Sequence, residues 1–372
     1  MINPPIYRNI INFLQEIVKY YGIITLTKSN LVNYRMLLCL GCDRIINSNK
    51  KIWKEVYFWS NQMNKTINIV LCSDDNYAQH IAVVMASVMA NTEAQVCFFV
   101  INDNISQEKI IKLKNTAAKF NTVIEFIDVP EEKFTNVYLS GHVSKAAYFR
   151  LALADILPVD IEKAIYLDVD LLVYDDINKL WQYDLKTFPL GAVKDFGIMA
   201  SGRLCKQKRE VIRLPENEAY FNSGVLLINL KQWREKNYTT QILEVINKNS
   251  FPHHDQDALN KIFMKNWLQI DLRWNIIPPV FNLFTKILLN KTFRSAAIRA
   301  KRNPGIIHYA GRYKPWEFTL HQGFNDMYYK YLKQTAFADE KMPQPGKNMK
   351  GKSIFRQILR LKRADLLVKI LK

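Results

Sequence analysis

From residue 67 onward the chain alternates short apolar runs with longer amphipathic stretches. Residues 67–72, 95–101 and 123–128 are rich in Ile, Val and Phe and have the length of buried strands. Between them, residues 77–90 and 106–120 repeat their apolar positions at helical spacing, and Ser106 stands where an N-cap is wanted. A helix near residues 144–156 and an apolar run over residues 164–173 continue the alternation. This rhythm predicts an α/β fold, a mostly parallel sheet flanked by helices. Ligands of such sheets bind beyond the carboxyl ends of the strands, which would bring Asp74, Asp75 and Asn76 to the same edge as Asp168 and Asp170.

Past Asp195 the pattern loosens. Residues 200–216 read as a basic, turn-rich loop, 220–230 as a strand, 231–248 as a helix and 255–264 as the opening of another. Residues 1–64 stand apart as a helical extension, because Tyr7, Ile10, Ile11, Leu14, Ile17, Val18 and Tyr21 recur at helical spacing before Gly22. At the other end Met342-Pro343-Gln344-Pro345-Gly346 marks a linker. Beyond it Ile354, Phe355, Ile358 and Leu361 face away from Arg356, Arg360 and Arg363 on an amphipathic pattern. The expected division is an extension at 1–64, an α/β domain at 65–320, and a linker with a basic tail at 321–372.

Composition adds a full apolar core and a partner. Hydrophobic residues make up 49% and charged residues 23% of the 372, the profile of a globular protein. The formal charge is +18, and between Lys341 and Lys372 ten basic residues face one acid, Asp365. Half of the excess thus sits in one tail, which points to an anionic membrane surface and argues against a nucleic-acid partner, for which no recognition module is present. Five cysteines, with Cys39-x-x-Cys42 lacking a second pair, give no metal or disulfide framework. No secretory signal and no apolar window of membrane-spanning length are evident, so a cytoplasmic protein, peripherally attached to the inner face of the membrane, is expected.

The run Tyr166-Leu167-Asp168-Val169-Asp170-Leu171 carries the chemistry. If it is a strand, Asp168 and Asp170 share a face and Val169 points back into the core. Two adjacent carboxylates repel each other and lose hydration, so a cation between them stabilises the pair, and hard divalent ions in such sites commonly carry a nucleotide diphosphate. A plainer alternative is a strand running into an acidic turn, since Asp175 and Asp176 follow.

Six segments, in order, resemble glycosyltransferase family 8, the retaining enzymes that include bacterial lipopolysaccharide and lipooligosaccharide galactosyl- and glucosyltransferases. They are Asn68–Tyr77, Ala147–Leu151, Tyr166–Asp170, Tyr220–Leu230, His254–Asn260 and Ile307–Trp316. The resemblance implies a GT-A-type nucleotide-binding sheet and transfer of a hexose from a UDP-sugar donor to a lipid-linked oligosaccharide or other glycan acceptor. It implies Asp168, Asp170 and His308 as metal ligands, a set that suits Mn²⁺ better than Mg²⁺, although Mg²⁺ is possible. It places Asp74, Asn76, Tyr77, His142 and Val169 on the nucleotide, Gly311 and Lys314 on the diphosphate, and Asn222 on the donor sugar. Arg150, Asp255 and Gln256 would stand at the reacting centre. A nucleotidyltransferase on a related sheet is the competing enzyme reading; it would release pyrophosphate rather than UDP.

Overall fold

The computed structural model describes residues 66–129, 148–249, 251–281, 291–311, 314–316 and 325–339. The expected extension at 1–64, His142 and the basic tail from Lys341 onward lie outside the described residues. Nine strands are present among those described: β1 Ile67–Asp74, β2 Val96–Asp103, β3 Val123–Asp128, β4 Lys163–Leu167, β5 Leu171–Val173, β6 Leu190–Lys194, β7 Phe221–Asn229, β8 Leu268–Ile270 and β9 Ile306–His308. The helices of eight residues or more are α1 Ala78–Met89, α2 Gln107–Lys119, α3 Gly202–Ile212, α4 Tyr238–Lys248, α5 His254–Ile262, α6 Lys291–Arg302 and α7 Asn325–Leu332.

Seven strands form one sheet in the order β3-β2-β1-β4-β7-β6-β8, and β5 pairs with β9 in a second, small sheet. Every pairing in the large sheet is parallel except the two made by β7. The alternation predicted from the sequence is therefore the fold: α/β, mostly parallel, with helices on both faces. Along β1 successive side chains feed opposite cores. Ile67, Ile69 and Leu71 join α1 on one face, whereas Val70 and Cys72 join Tyr148, Phe149 and Leu151 on the other. Each such aliphatic side chain, wholly removed from water, contributes roughly 1.5–3 kcal/mol. α1 is buried nearly all round because α2 and α7 cover what the sheet does not.

The strand order positions the site. β1 leads outward to β2 and β3, and the chain then returns to β4 on the other side of β1, so the crevice between β1 and β4 is a topological switch point. β7 runs backwards beside β4, which brings its first residues, Phe221 to Gly224, to the carboxyl edge of its neighbours. There its pairing with β6 jumps, from Ala192↔Leu226 to Val193↔Asn222, and this irregularity frees Ser223 and Gly224 from the ladder on that side.

Three expectations are corrected. The acidic pair does not lie on one strand: β4 ends at Leu167 and β5 begins at Leu171, so Asp168-Val169-Asp170 is the crossing between two sheets. The loop expected over 200–216 contains α3, started by Ser201, whose Oγ accepts from Leu204 N at 3.3 Å. The abundance of Arg and Lys there hid a helix that buries Lys208 and Ile212. The single helix expected over 231–248 is two, Leu230–Glu235 and α4, broken where Asn237 adopts the left-handed conformation.

Candidate active site

Asp168 follows β4 and Asp170 precedes β5, each held by its backbone. Asp168 N donates to Gly224 O at 2.8 Å, and Tyr309 N donates to Asp170 O at 2.8 Å. His308 ends β9, directly across from Leu171. One ligand atom from each of Asp168, Asp170 and His308 lies within 4.8 Å of the others. His308 Nε2 is 3.1 Å from Asp170 Oδ1 and 3.6 Å from Asp168 Oδ2.

The imidazole is oriented from behind. Asn275 Nδ2 donates to Asn222 Oδ1 at 2.8 Å, which leaves Asn275 Oδ1 to accept from His308 Nδ1 at 2.9 Å. With Nδ1 donating to Asn275, Nε2 is turned toward the carboxylates, the orientation a metal-binding histidine requires. Two carboxylates and an imidazole nitrogen converging on one point fit a divalent ion. Gly224 makes room for that convergence: a Cβ there would lie 2.7 Å from Asp168 Oδ2 and 2.9 Å from His308 Nδ1.

From this point the polar contacts run in a closed ring. Arg150, buried on the turn Arg150–Ala152, sets Nη1 2.9 Å from Asp168 Oδ1 and Nε 3.4 Å from Asp255 Oδ2. Ser223 Oγ donates to Asp255 at 3.2 Å, and Ser223 N donates to Gln256 Oε1 at 3.0 Å. Gln256 Nε2 and Asn222 Nδ2 both donate to Asp195 Oδ2, at 3.2 and 3.1 Å. Asn222 then leads back through Asn275 to His308. Burial raises the pKa of Asp255, and neighbouring Arg150 only partly offsets it. Burial also opposes ionisation of Asp170, but Lys314 and His308 outweigh it and hold that carboxyl well below its usual range.

Lys314 closes the site from the loop after β9. Its Nζ contacts Asp170 Oδ2 and donates to Tyr309 O at 2.9 Å. Trp316 stacks on His80 of α1 with centroids 3.6 Å apart, and Tyr77 meets Trp316 edge-on at 5.9 Å. Burial lowers the pKa of His80 to about 3, so it is a neutral platform. Gly311 bends the same loop at φ +93°, where a side chain would be strained. On the β1 side, Asp74 Oδ1 accepts from Tyr77 N at 3.2 Å, and Asn76 is exposed. Asp75 is turned away, paired with Lys109 at 2.6 Å.

The sequence matches the family model described as glycosyl transferase family 8 over residues 68–319. The chain belongs to glycosyltransferase family 8. Among relatives of this family-8 chain, general stress protein A of Bacillus subtilis is 32% identical over 281 residues, covering 74% of this chain and 96% of its own length. The lipopolysaccharide 1,2-glucosyltransferase of Escherichia coli is 27% identical over 260 residues, covering 68% and 74%. The solved galactosyltransferase LgtC, bound to donor and acceptor sugar analogues, is 28% identical with a TM-score of 0.63, covering 75% of this chain and 98% of that one.

Of the residues that the family-8 resemblance picks out, Asp168, Asp170, His308, Lys314, Arg150, Asn222, Asp255 and Gln256 form one connected cluster. Asp74, Asn76 and Tyr77 lie at the neighbouring strand end, and Val169 is half-buried between the two acids. Asp195 and Asn275, on which the ring depends, are not among the residues that the sequence singles out. Asp195 carried a usable signal, an acid just past the apolar strand Leu190–Lys194, as Asp168 stands past β4. Asn275 carried none, since only the fold brings it behind His308. Asp257, the second acid of the His254–Asn260 segment, faces away from the ring: it is fully buried, with both oxygens on Lys208 Nζ at 2.6 and 2.7 Å and Tyr220 OH on one at 2.6 Å.

Proposed function

We propose that the chain transfers a hexose, galactose or glucose, from a UDP-sugar to a lipopolysaccharide, lipooligosaccharide or other cell-surface glycan, with retention of configuration. Asp168, Asp170 and His308 would hold a divalent cation, with Mn²⁺ favoured by the mixed oxygen and nitrogen donors. Bound there, the cation supplies positive charge against the departing diphosphate. Lys314 adds a second positive charge on the same side, a point charge rather than a planar clamp. Asp74, Asn76 and Tyr77 form the surface for uracil and ribose, with Val169 beside it and Gly311 letting the loop bend over the phosphates; His142, which the resemblance assigns to the nucleotide, lies outside the described residues.

At the sugar, Asn222 and Gln256 present amides fixed by Asp195, and Asp255 presents a carboxylate fixed by Arg150. These preformed dipoles and charges favour an electron-poor anomeric carbon as UDP leaves, without reorganising during the reaction. The basic tail would rest on the anionic inner leaflet of a bacterial cytoplasmic membrane, where lipid-linked acceptors are reached. No helix among the described residues is long and apolar enough to cross a membrane.

The observation that carries this reading is the Asp168–Asp170–His308 cluster at the switch point of a family-8 sheet. Its test is UDP release from UDP-galactose, UDP-glucose and UDP-N-acetylglucosamine, with Mn²⁺ and after chelation. One of the first two should turn over, and chelation should stop it. Pyrophosphate release from a nucleoside triphosphate and a sugar phosphate would make the chain a nucleotidyltransferase instead.

A further inference from the structure

We propose that Lys314 couples the metal to the diphosphate: its ammonium opposes a divalent cation bound alone and favours one bound together with a nucleotide diphosphate. This inference rests on the donor and metal reading above. Its starting point is that Lys314 contacts Asp170 Oδ2 while the other oxygen of that carboxylate is 3.1 Å from His308 Nε2. One carboxylate therefore faces both the lysine ammonium and the imidazole. Both side chains are shielded, with 12% of Lys314 and 13% of Asp170 accessible, so charge is felt here more strongly than at a surface.

The segment that carries the ammonium is fastened independently of the acids. Tyr329 OH donates to Pro315 O at 2.6 Å, and Trp316 lies on His80, whose Nδ1 is in turn 2.6 Å from Tyr328 OH. These anchors belong to α1 and α7. The base of the Lys314 side chain thus stays beside Asp170 whatever its ammonium contacts.

Charge balance gives the sign. Asp168, Asp170, Asp195 and Asp255 face Arg150 and Lys314 across one connected cluster, four carboxylates against two side-chain cations. A divalent cation added alone uses up that excess and stands beside the Lys314 ammonium, which repels it. A diphosphate added with it restores the excess of negative charge and offers Lys314 a second anion. Removing the lysine charge should therefore help the bare metal and harm the metal–nucleotide pair, and by linkage each ligand should lose its hold on the other.

The test uses Lys314→Met in the full chain, with Mn²⁺ binding without nucleotide read from the electron paramagnetic resonance of the free ion. UDP binding at saturating Mn²⁺ is read by calorimetry. The expected result is Mn²⁺ alone bound about tenfold more tightly and UDP about tenfold more weakly, the opposed shifts of a removed charge. Lys314→Arg, which keeps the charge, should shift neither in that pattern. Two shifts of the same sign, or unchanged Mn²⁺ binding in a variant with wild-type melting, would overturn the proposal. If Lys314→Met melts early, Lys314→Gln is read by the same criteria. A wild-type chain that binds neither Mn²⁺ nor UDP would instead remove the donor reading beneath it.

Discussion

Two buried charged clusters meet at the first turn of α5, and they are built on opposite plans. On one side Asp257 is wholly enclosed, and Lys208, Tyr220 OH and the His253 backbone N–H satisfy it completely. On the other, one and two residues earlier, Gln256 and Asp255 enter the ring that reaches Asp168, Asp170 and His308. The first cluster matches each charge with a partner and is sealed from solvent. The second brings more acid together than its own cations neutralise and stays partly open. A closed, balanced cluster holds structure, whereas an open, unbalanced one is prepared for something to arrive.

The sharpest way to break this contrast is Asp170→Asn. It removes charge where the excess is, so turnover should fall on the order of 10³-fold, the scale of losing a main electrostatic stabiliser of the leaving group. Melting should stay close to wild type. A large loss of stability with retained turnover would exchange the roles of the two clusters.

Lys208→Met attacks the sealed side. It strands Asp257 in the interior, and the expected cost is about 3–5 kcal/mol in urea unfolding. Lys208→Met combined with Asp257→Asn should recover much of that, because no unpaired charge remains. Equal destabilisation by the single and double variants would show that packing, rather than charge, is what Lys208 supplies.

The smallest effect belongs to a third arrangement, the half-exposed pair Asp75–Lys109. The hydrogen bond from Lys109, with others from Ser106, lowers the Asp75 pKa from 3.8 to about 2. A depressed carboxyl stabilises above its unfolded value and loses that contribution as pH falls through the folded one. Asp75→Asn should therefore destabilise by less than about 1 kcal/mol at neutral pH, solvent screening taking most of the gain. The difference should vanish between roughly pH 4 and 2, read from parallel acid unfolding curves.

The sequence made much of this legible, but unevenly. Strand–helix alternation through Asp128 was plain because parallel strands buried on both faces read as unbroken apolar runs. The helix α3 was not, since five of its eleven residues, Arg203, Lys206, Lys208, Arg209 and Glu210, are charged, and one of them is a buried lysine. Asp168 and Asp170 were found by their spacing, yet the strand geometry used to pair them does not apply. Two sheets, each holding one acid, produce the same convergence that one strand would have given. Asp195 and Asn275 show the limit: both owe their position to contacts with residues 27 and 53 places distant, which no local pattern records.

That seam between sheets has a further consequence. Asp170 and His308 flank the same narrow ribbon of β5 and β9, while Asp168 follows β4 of the broad sheet. Any sliding of ribbon against sheet would change the gap to Asp168 and leave the Asp170–His308 gap untouched. The aperture that an ion would meet would thereby be set at a distance, by how firmly Leu172 and Val173 are wedged in the core beneath it. Under the proposed function, discrimination by ionic radius would be a property of that wedge as much as of the three side chains at the rim.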